Sequence, residues 1–242
     1  MKRPHYLALG GAAYLAALVP MVYLAGFLAN LLVPKGIDSG EAVGAGRALA
    51  LDLALVASFA LVHSVLARDR VKAALAHAVP PPLERALYVL VAGAQIALLE
   101  WLWQPLPEPV WSVANPGLRA LLWAGQGLGW AIVLAALAAL GTRSFFGFDG
   151  AVAAAFDRPA PAPQLAIRGI YRHIRHPLYV GTALPLWAVP DMSQGHLLLS
   201  TTLTLYLAIG LVFEERTLAR RHGAAYRAYR EAVPGFFPRW KR

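Results

Sequence analysis

The stretch Arg172-His173-Ile174-Arg175-His176-Pro177-Leu178-Tyr179-Val180-Gly181 decides how this chain is read. A dense cationic turn runs directly into an apolar segment, and from Leu178 to Phe213 the only formal charge is Asp191. Glu214-Glu215 then closes the apolar run, followed by Gly223, Tyr226 and Tyr229. A cationic turn and a carboxylate pair thus bracket one hydrophobic hairpin, with Asp191-Met192-Ser193-Gln194 as its tight turn. The two ends of a hairpin lie at one membrane face, so the brackets predict a polar pocket at a bilayer surface. Bilayers exclude ionisable groups that have neither a partner nor a task.

Outward from the hairpin the chain keeps the same character. Of its 242 residues, 58% are hydrophobic and only 14% charged, with a mean hydropathy of +0.52; a soluble domain carries about 25% charged residues. Long uncharged runs predict an all-α integral membrane protein, because helices satisfy their backbone within the segment. Six apolar segments are predicted: Tyr6 to Val33, Ala48 to Ala67, Ala86 to Trp103, Ala120 to Thr142, Leu178 to Pro190 and Gly195 to Phe213. The fifth is short against the roughly 20 residues of a full span, and it contains Pro185. The length fits a single membrane domain over 1–242, with four spans in 1–142 and a loop, the hairpin and a tail in 143–242. In that tail Leu218, His222, Tyr226, Tyr229 and Val233 recur at helical spacing with arginines on the other face. This predicts a cytoplasmic amphipathic helix along the membrane surface. The run Pro159-Ala160-Pro161-Ala162-Pro163 is extended rather than helical.

A net charge of +9 could suggest a nucleic-acid partner. The basic residues instead sit between apolar spans, so no nucleic acid is expected and membrane lipid is. With the N-terminus inside, all of the 22 Lys and Arg residues except Lys35, Arg47 and Arg119 fall on the cytoplasmic side. Both termini are therefore expected in the cytoplasm, as for a protein of the bacterial inner membrane. Trp103, Trp111 and Trp123 are expected in an aromatic belt near the outer ends of the third and fourth spans. The chain has no cysteine, which excludes disulfides, a Cys nucleophile, Cys-ligated zinc and iron–sulfur clusters. No metal site is expected, since His173 and His176 are the only suggestive pair, and no phosphate-cradling glycine loop is present.

The cytoplasmic side collects His63, Ser64, Arg172, His173, Arg175, His176, Tyr179, Glu214 and Glu215. A histidine at the mouth of a low-dielectric pocket acts as a base or a hydrogen-bond donor, and a carboxylate pair binds a cation or a cationic cofactor. A plainer reading stands beside this one. The arginines then set topology, Glu214 and Glu215 pair with Arg216 and Arg220 along one helix, and His63 is a packing residue. On either reading His196 is expected at the interface, Asp52 and Glu100 at span ends that reach water, and Tyr226 and Tyr229 as interfacial anchors.

Arg175-His176-Pro177-Leu178-Tyr179-Val180-Gly181, the hairpin, then Glu214-Glu215-Arg216-Thr217-Leu218, His222-Gly223, Tyr226, Tyr229 and Val233-Pro234 resemble the isoprenylcysteine carboxyl methyltransferase and phospholipid methyltransferase superfamily. The resemblance implies a membrane-embedded enzyme using S-adenosylmethionine. It implies a cofactor pocket formed by Arg172, Arg175, His176, Pro177, Tyr179, Gly181, Glu214 and Glu215. Asn30 to Gly40, His63-Ser64, Pro82-Leu83-Glu84-Arg85 and Tyr88 narrow the likeness to the methanethiol S-methyltransferase family, membrane enzymes that make dimethyl sulfide. That resemblance spans nearly the whole chain. It departs at Gly141 to Phe148, where a polar, acidic stretch is expected. What it implies is a small volatile thiol as acceptor, His63 and His176 as candidate bases, and His63, Ser64 and Tyr171 as substrate contacts. The sequence leaves the oligomeric state open. A methyltransferase acting on a lipid or a prenylated protein would need a wider opening. A transporter would carry polar groups at mid-bilayer, where this chain is largely bare.

Overall fold

The computed structural model describes residues 3–41, 43–159 and 165–238. Lys2, Arg239, Lys241 and Arg242 of the charge pattern, and most of the proline run, lie outside the described residues. In chain order the elements are α1 (Pro4–Ala29), α2 (Ala45–Leu66), α3 (Asp69–Leu75), α4 (Glu84–Leu102), β1 (Pro109–Ser112), α5 (Pro116–Leu140), α6 (Thr142–Phe145), α7 (Phe148–Ala155), α8 (Pro177–Trp187), β2 (Asp191–Ser193) and α9 (Gln194–Ala232). Short 3-10 turns at Pro81–Leu83 and Gly169–Arg172 lead into α4 and precede α8. Five helices among the described residues are long and apolar enough to cross a membrane: α1, α2, α4 with its leading turn, α5 and α9. The protein is a helical integral membrane protein. Its chain falls into two compact units.

The first unit contains α1 to α4, α6 and α7. Close backbone approach holds it together. A Cβ on Gly93 of α4 would lie 2.2 Å from the Ala16 carbonyl oxygen of α1, and one on Gly10 would lie 2.3 Å from the Ala151 Cβ of α7. At the far end of α1, Asn30 adopts φ 52°, a left-handed conformation that Asn tolerates because its short amide bonds locally. Its amide donates to Asp38 at 2.7 Å. Trp103 is fully buried with its ring edge-on to Phe27, so it belongs to the core and not to an aromatic belt. Asp52 and Glu100 are likewise buried rather than open to water. One Asp52 oxygen accepts the Gln104 backbone N–H at 2.8 Å, which anchors the chain leaving α4. Burial pulls the Lys35 ammonium below its usual value, and the Asp52 carboxylate opposes that shift.

The second unit contains β1, α5, α8, β2 and α9. α5 and α8 meet glycine to glycine. A Cβ on Gly129 would lie 2.4 Å from Pro185 Cδ, and one on Gly181 would lie 2.9 Å from the Gly129 carbonyl oxygen. α8 has 11 residues, about 16 Å of rise, and ends in a turn at Ala188 in which the Val189 N–H donates to the Trp187 carbonyl at 3.0 Å. The predicted tight turn is a short strand instead: β2 pairs antiparallel with β1. The reason is backbone satisfaction. The Val113 N–H donates to the Pro190 carbonyl and the Gln194 N–H to the Glu108 carbonyl, each at 2.9 Å. An Arg119 fork grips Asp191 at 2.9 and 2.7 Å. Its hydrogen bonds, with that of Ser112, hold the Asp191 carboxyl below the usual range.

His196 is buried rather than interfacial. Its Nε2 and the Ser200 hydroxyl both donate to the Leu186 carbonyl, at 3.0 and 2.7 Å, and so satisfy the frayed end of α8. α9 continues past Phe213 without interruption as far as Gly223, whose φ of 52° and ψ of −121° break it. The surface helix predicted to start at Glu214 therefore turns away only at Gly223. Beyond the break Tyr226, Tyr229 and Val233 are buried together against Leu165, Leu218 and Ala219.

Candidate functional site

One carboxylate oxygen organises the site. Glu215 Oε1 accepts from Arg175 Nη2 at 3.2 Å, from His176 Nε2 at 2.7 Å and from the Tyr226 hydroxyl at 2.8 Å. Each donor arrives for a local reason. Pro177 starts α8 at a position where its missing N–H costs nothing, which sets Arg175 and His176 just before the helix. Their backbone N–H groups donate to the Pro234 and Gly235 carbonyls at 2.9 and 3.1 Å, so the tail folds back across them. Arg175 Nη1 donates to the Arg230 and Val233 carbonyls, a cation at the negative end of the tail helix. Tyr226 reaches Glu215 because the chain bends at Gly223.

A second carboxylate sits beside the first. The Tyr179 hydroxyl donates to Glu214 Oε2 at 2.5 Å, and the Tyr229 hydroxyl to the Tyr171 carbonyl at 2.6 Å. Burial, then the Glu214 carboxylate and Tyr229, push the Tyr171 hydroxyl above its ordinary value, so it stays protonated. The His176 ring, only 4% exposed, packs edge-on to Tyr179 and against Phe236. Because its Nε2 faces a carboxylate, that nitrogen carries hydrogen.

Of the residues expected from sequence, Arg175, His176, Tyr179, Glu214 and Glu215 thus meet. Glu215 pairs across to the start of α8 rather than along its own helix. Gly181 is buried where α8 approaches α5, which gives it a packing reason. Arg172 is exposed at the end of its 3-10 turn and stands apart from the network. His63 and Ser64 belong to the first unit. There His63 stacks on Phe59 with Nε2 2.5 Å from the Tyr88 hydroxyl, and the Arg85 guanidinium lies 5.2 Å from the centre of the Tyr88 ring. Tyr226, expected as an interfacial anchor, is instead one of the three donors to Glu215. Its signal was the helix-breaking Gly223 between it and Glu215. Among the described residues no group of three or more His, Cys, Asp or Glu gathers as metal ligands would.

The cluster presents two carboxylates, the Arg175 guanidinium, phenols and an imidazole around one end of α8, a set of groups suited to a molecule carrying both signs of charge. The family model for the NnrU protein family matches residues 51–235. The chain is 37% identical over 238 residues to methanethiol S-methyltransferase of Mycobacterium tuberculosis, covering 98% of both proteins. It is 36% identical over 233 residues to methanethiol S-methyltransferase 1 of Bradyrhizobium diazoefficiens, covering 96% of this chain and 81% of that protein. This chain belongs to the methanethiol S-methyltransferase family, within the NnrU proteins. The family resemblance read from its residues is borne out. Nurim of Xenopus laevis is also similar, 29% identical over 174 residues, covering 66% of this chain and 59% of nurim. No solved structure matches the chain.

Proposed function

We propose that this protein transfers a methyl group from S-adenosylmethionine to methanethiol, giving dimethyl sulfide, at the cytoplasmic face of a bacterial inner membrane. The observation that carries the reading is the convergence of Arg175, His176 and Tyr226 on Glu215, at positions matching the family pattern, in a chain whose relatives carry that activity in their names. The donor set fits S-adenosylmethionine. Glu214 and Glu215 suit an amino group or ribose hydroxyls. The exposed Arg172 suits a carboxylate, as does Arg175, whose buried Nε has no hydrogen-bond partner among the described residues. When bound, S-adenosylmethionine supplies a methyl on a sulfonium, open to in-line displacement by a thiolate.

The protein's own tasks are alignment and proton removal. Alignment is worth up to about 7–11 kcal/mol, and the thiol must ionise because the thiolate is the nucleophile. Two histidines are assigned to that proton. His176, held by Glu215 through Nε2, offers Nδ1. His63, beside Tyr88, is assigned on its chemistry and its match to the family pattern. Tyr171 and Ser64 are assigned to the acceptor. Charge is lost as thiolate meets sulfonium, so a dry site favours the reaction relative to water.

The same reading includes six crossings and both termini inside, with α8 and α9 as a hairpin. The pairing of β1 with β2 supports it, because it holds the connection between α8 and α9 beside the segment that leads into α5. Calorimetry of S-adenosylmethionine binding tests the site. Glu215→Gln is expected to weaken affinity at least roughly ten-fold, since hydrogen bonds to a charged group are worth about 1.5–3 kcal/mol. Unchanged affinity in both Glu214→Gln and Glu215→Gln would remove the assignment.

A further inference from the structure

We propose that the first unit carries a binding site for a phospholipid with a primary-amine headgroup, separate from the chemistry of methyl transfer. A pocket of about 400 Å³ opens between the second halves of α1 and α4, beside Lys35, within the size range of small-molecule sites. Val19, Pro20, Tyr23 and Trp101 give it a mostly apolar wall, and Lys35 and Glu100 place one basic and one acidic side chain on it.

Glu100 carries the argument. It lies two residues before the end of α4, a helix long and apolar enough to cross a membrane. It is only 5% exposed, and its Oε1 is buried with no hydrogen-bond donor among the described residues. A carboxylate in such a place costs free energy unless a donor reaches it, and no described group donates to Oε1. Lys35, by contrast, is fixed in place. Its ammonium donates to the Trp101 and Trp103 carbonyls, while the Tyr23 hydroxyl clamps its backbone through bonds to Lys35 N and O. An ammonium has three donors, so one remains for an incoming oxygen.

A matching ligand brings an N–H cation for Glu100, an anionic oxygen for Lys35 and hydrocarbon for the wall. A phosphoethanolamine headgroup on acyl chains has all three. A choline headgroup has no N–H to donate, and a glycerol headgroup has no cation. The surface beside the pocket suits acyl chains: Val19, Val22, Leu98 and Trp101 are all exposed, Trp101 at 79%.

Native mass spectrometry of the full chain in detergent, with equimolar phosphatidylethanolamine, phosphatidylcholine and phosphatidylglycerol, tests the proposal. Phosphatidylethanolamine should be retained roughly ten-fold over the other two, the scale of one charge-assisted hydrogen bond. Glu100→Gln should reduce it to the level of phosphatidylcholine. Should that variant fail to fold, the wild-type protein still decides through the ligand: retention should fall stepwise as the amine hydrogens are replaced by one, two and three methyl groups. Equal retention of the three lipids, or of the methylated series, would overturn the site. Displacement of the lipid by millimolar glycerophosphoethanolamine or inorganic phosphate would assign the pocket to a soluble ligand and equally overturn it.

Discussion

Glu215, His176 and Arg175 meet because hairpin ends converge, and that much is legible in the sequence: charges at positions 172–176 and 214–215 bracket a run with a single charge between them. Tyr226 was not legible as a ligand, because an unbroken helix would carry it along the surface, and its contact depends on the backbone of one glycine. Asp52 and Glu100 were misjudged for a different reason. Position along a span indicates depth, but not whether a neighbouring segment covers the residue, and here the chain after α1 and after α4 does so. At this scale the sharpest prediction concerns His63. If it takes the thiol proton, His63→Ala should lower turnover about 100-fold or more at neutral pH, the usual scale of general-base catalysis, with S-adenosylmethionine affinity unchanged. Activity should recover as pH rises toward the ionisation of the thiol itself. Normal turnover would return His63 to the stack between Phe59 and Tyr88, and would leave His176 as the base.

Among the elements, the long apolar helices and the short segment that forms α8 were legible from composition alone, whereas the β1–β2 ribbon was not. Residues 109–112 and 191–193 are too short to show a strand period, and the ribbon exists only because each segment supplies the other's hydrogen bonds. The fifth segment was recognisably short, but its close packing on α5 depends on Gly129 and Gly181 meeting in space. The break in α9 yields a direct prediction. Gly223 has open space where a side chain would go but a positive φ, so Gly223→Ala meets only backbone strain, about 1–3 kcal/mol. The variant should lower the thermal midpoint by several degrees and weaken S-adenosylmethionine binding as Tyr226 is drawn from Glu215. Gly127→Ala, also in open space but within α5, should leave binding unchanged and be neutral or slightly stabilising. Equal behaviour of the two variants would refute the role given to the bend.

For the molecule as a whole, the membrane character and the family were legible from composition and motif, and the division into two units was not, because only the short segment that begins at Gly141 and carries α6 and α7 returns to the first unit across the sequence. Orientation rests on the distribution of Lys and Arg. Reporter fusions after the last residue should be cytoplasmic, and reporters inserted between Pro107 and Pro116 should be external; the same side for both would undo the six-crossing arrangement. The central claim is methyl transfer to methanethiol, and headspace mass spectrometry tests it most directly. Membranes containing the protein, given methanethiol and S-adenosylmethionine with a trideuterated methyl, should release dimethyl sulfide three mass units heavier than the unlabelled compound, and membranes with Glu215→Gln should release far less. Wild-type membranes that bind S-adenosylmethionine yet release no labelled dimethyl sulfide would contradict the account.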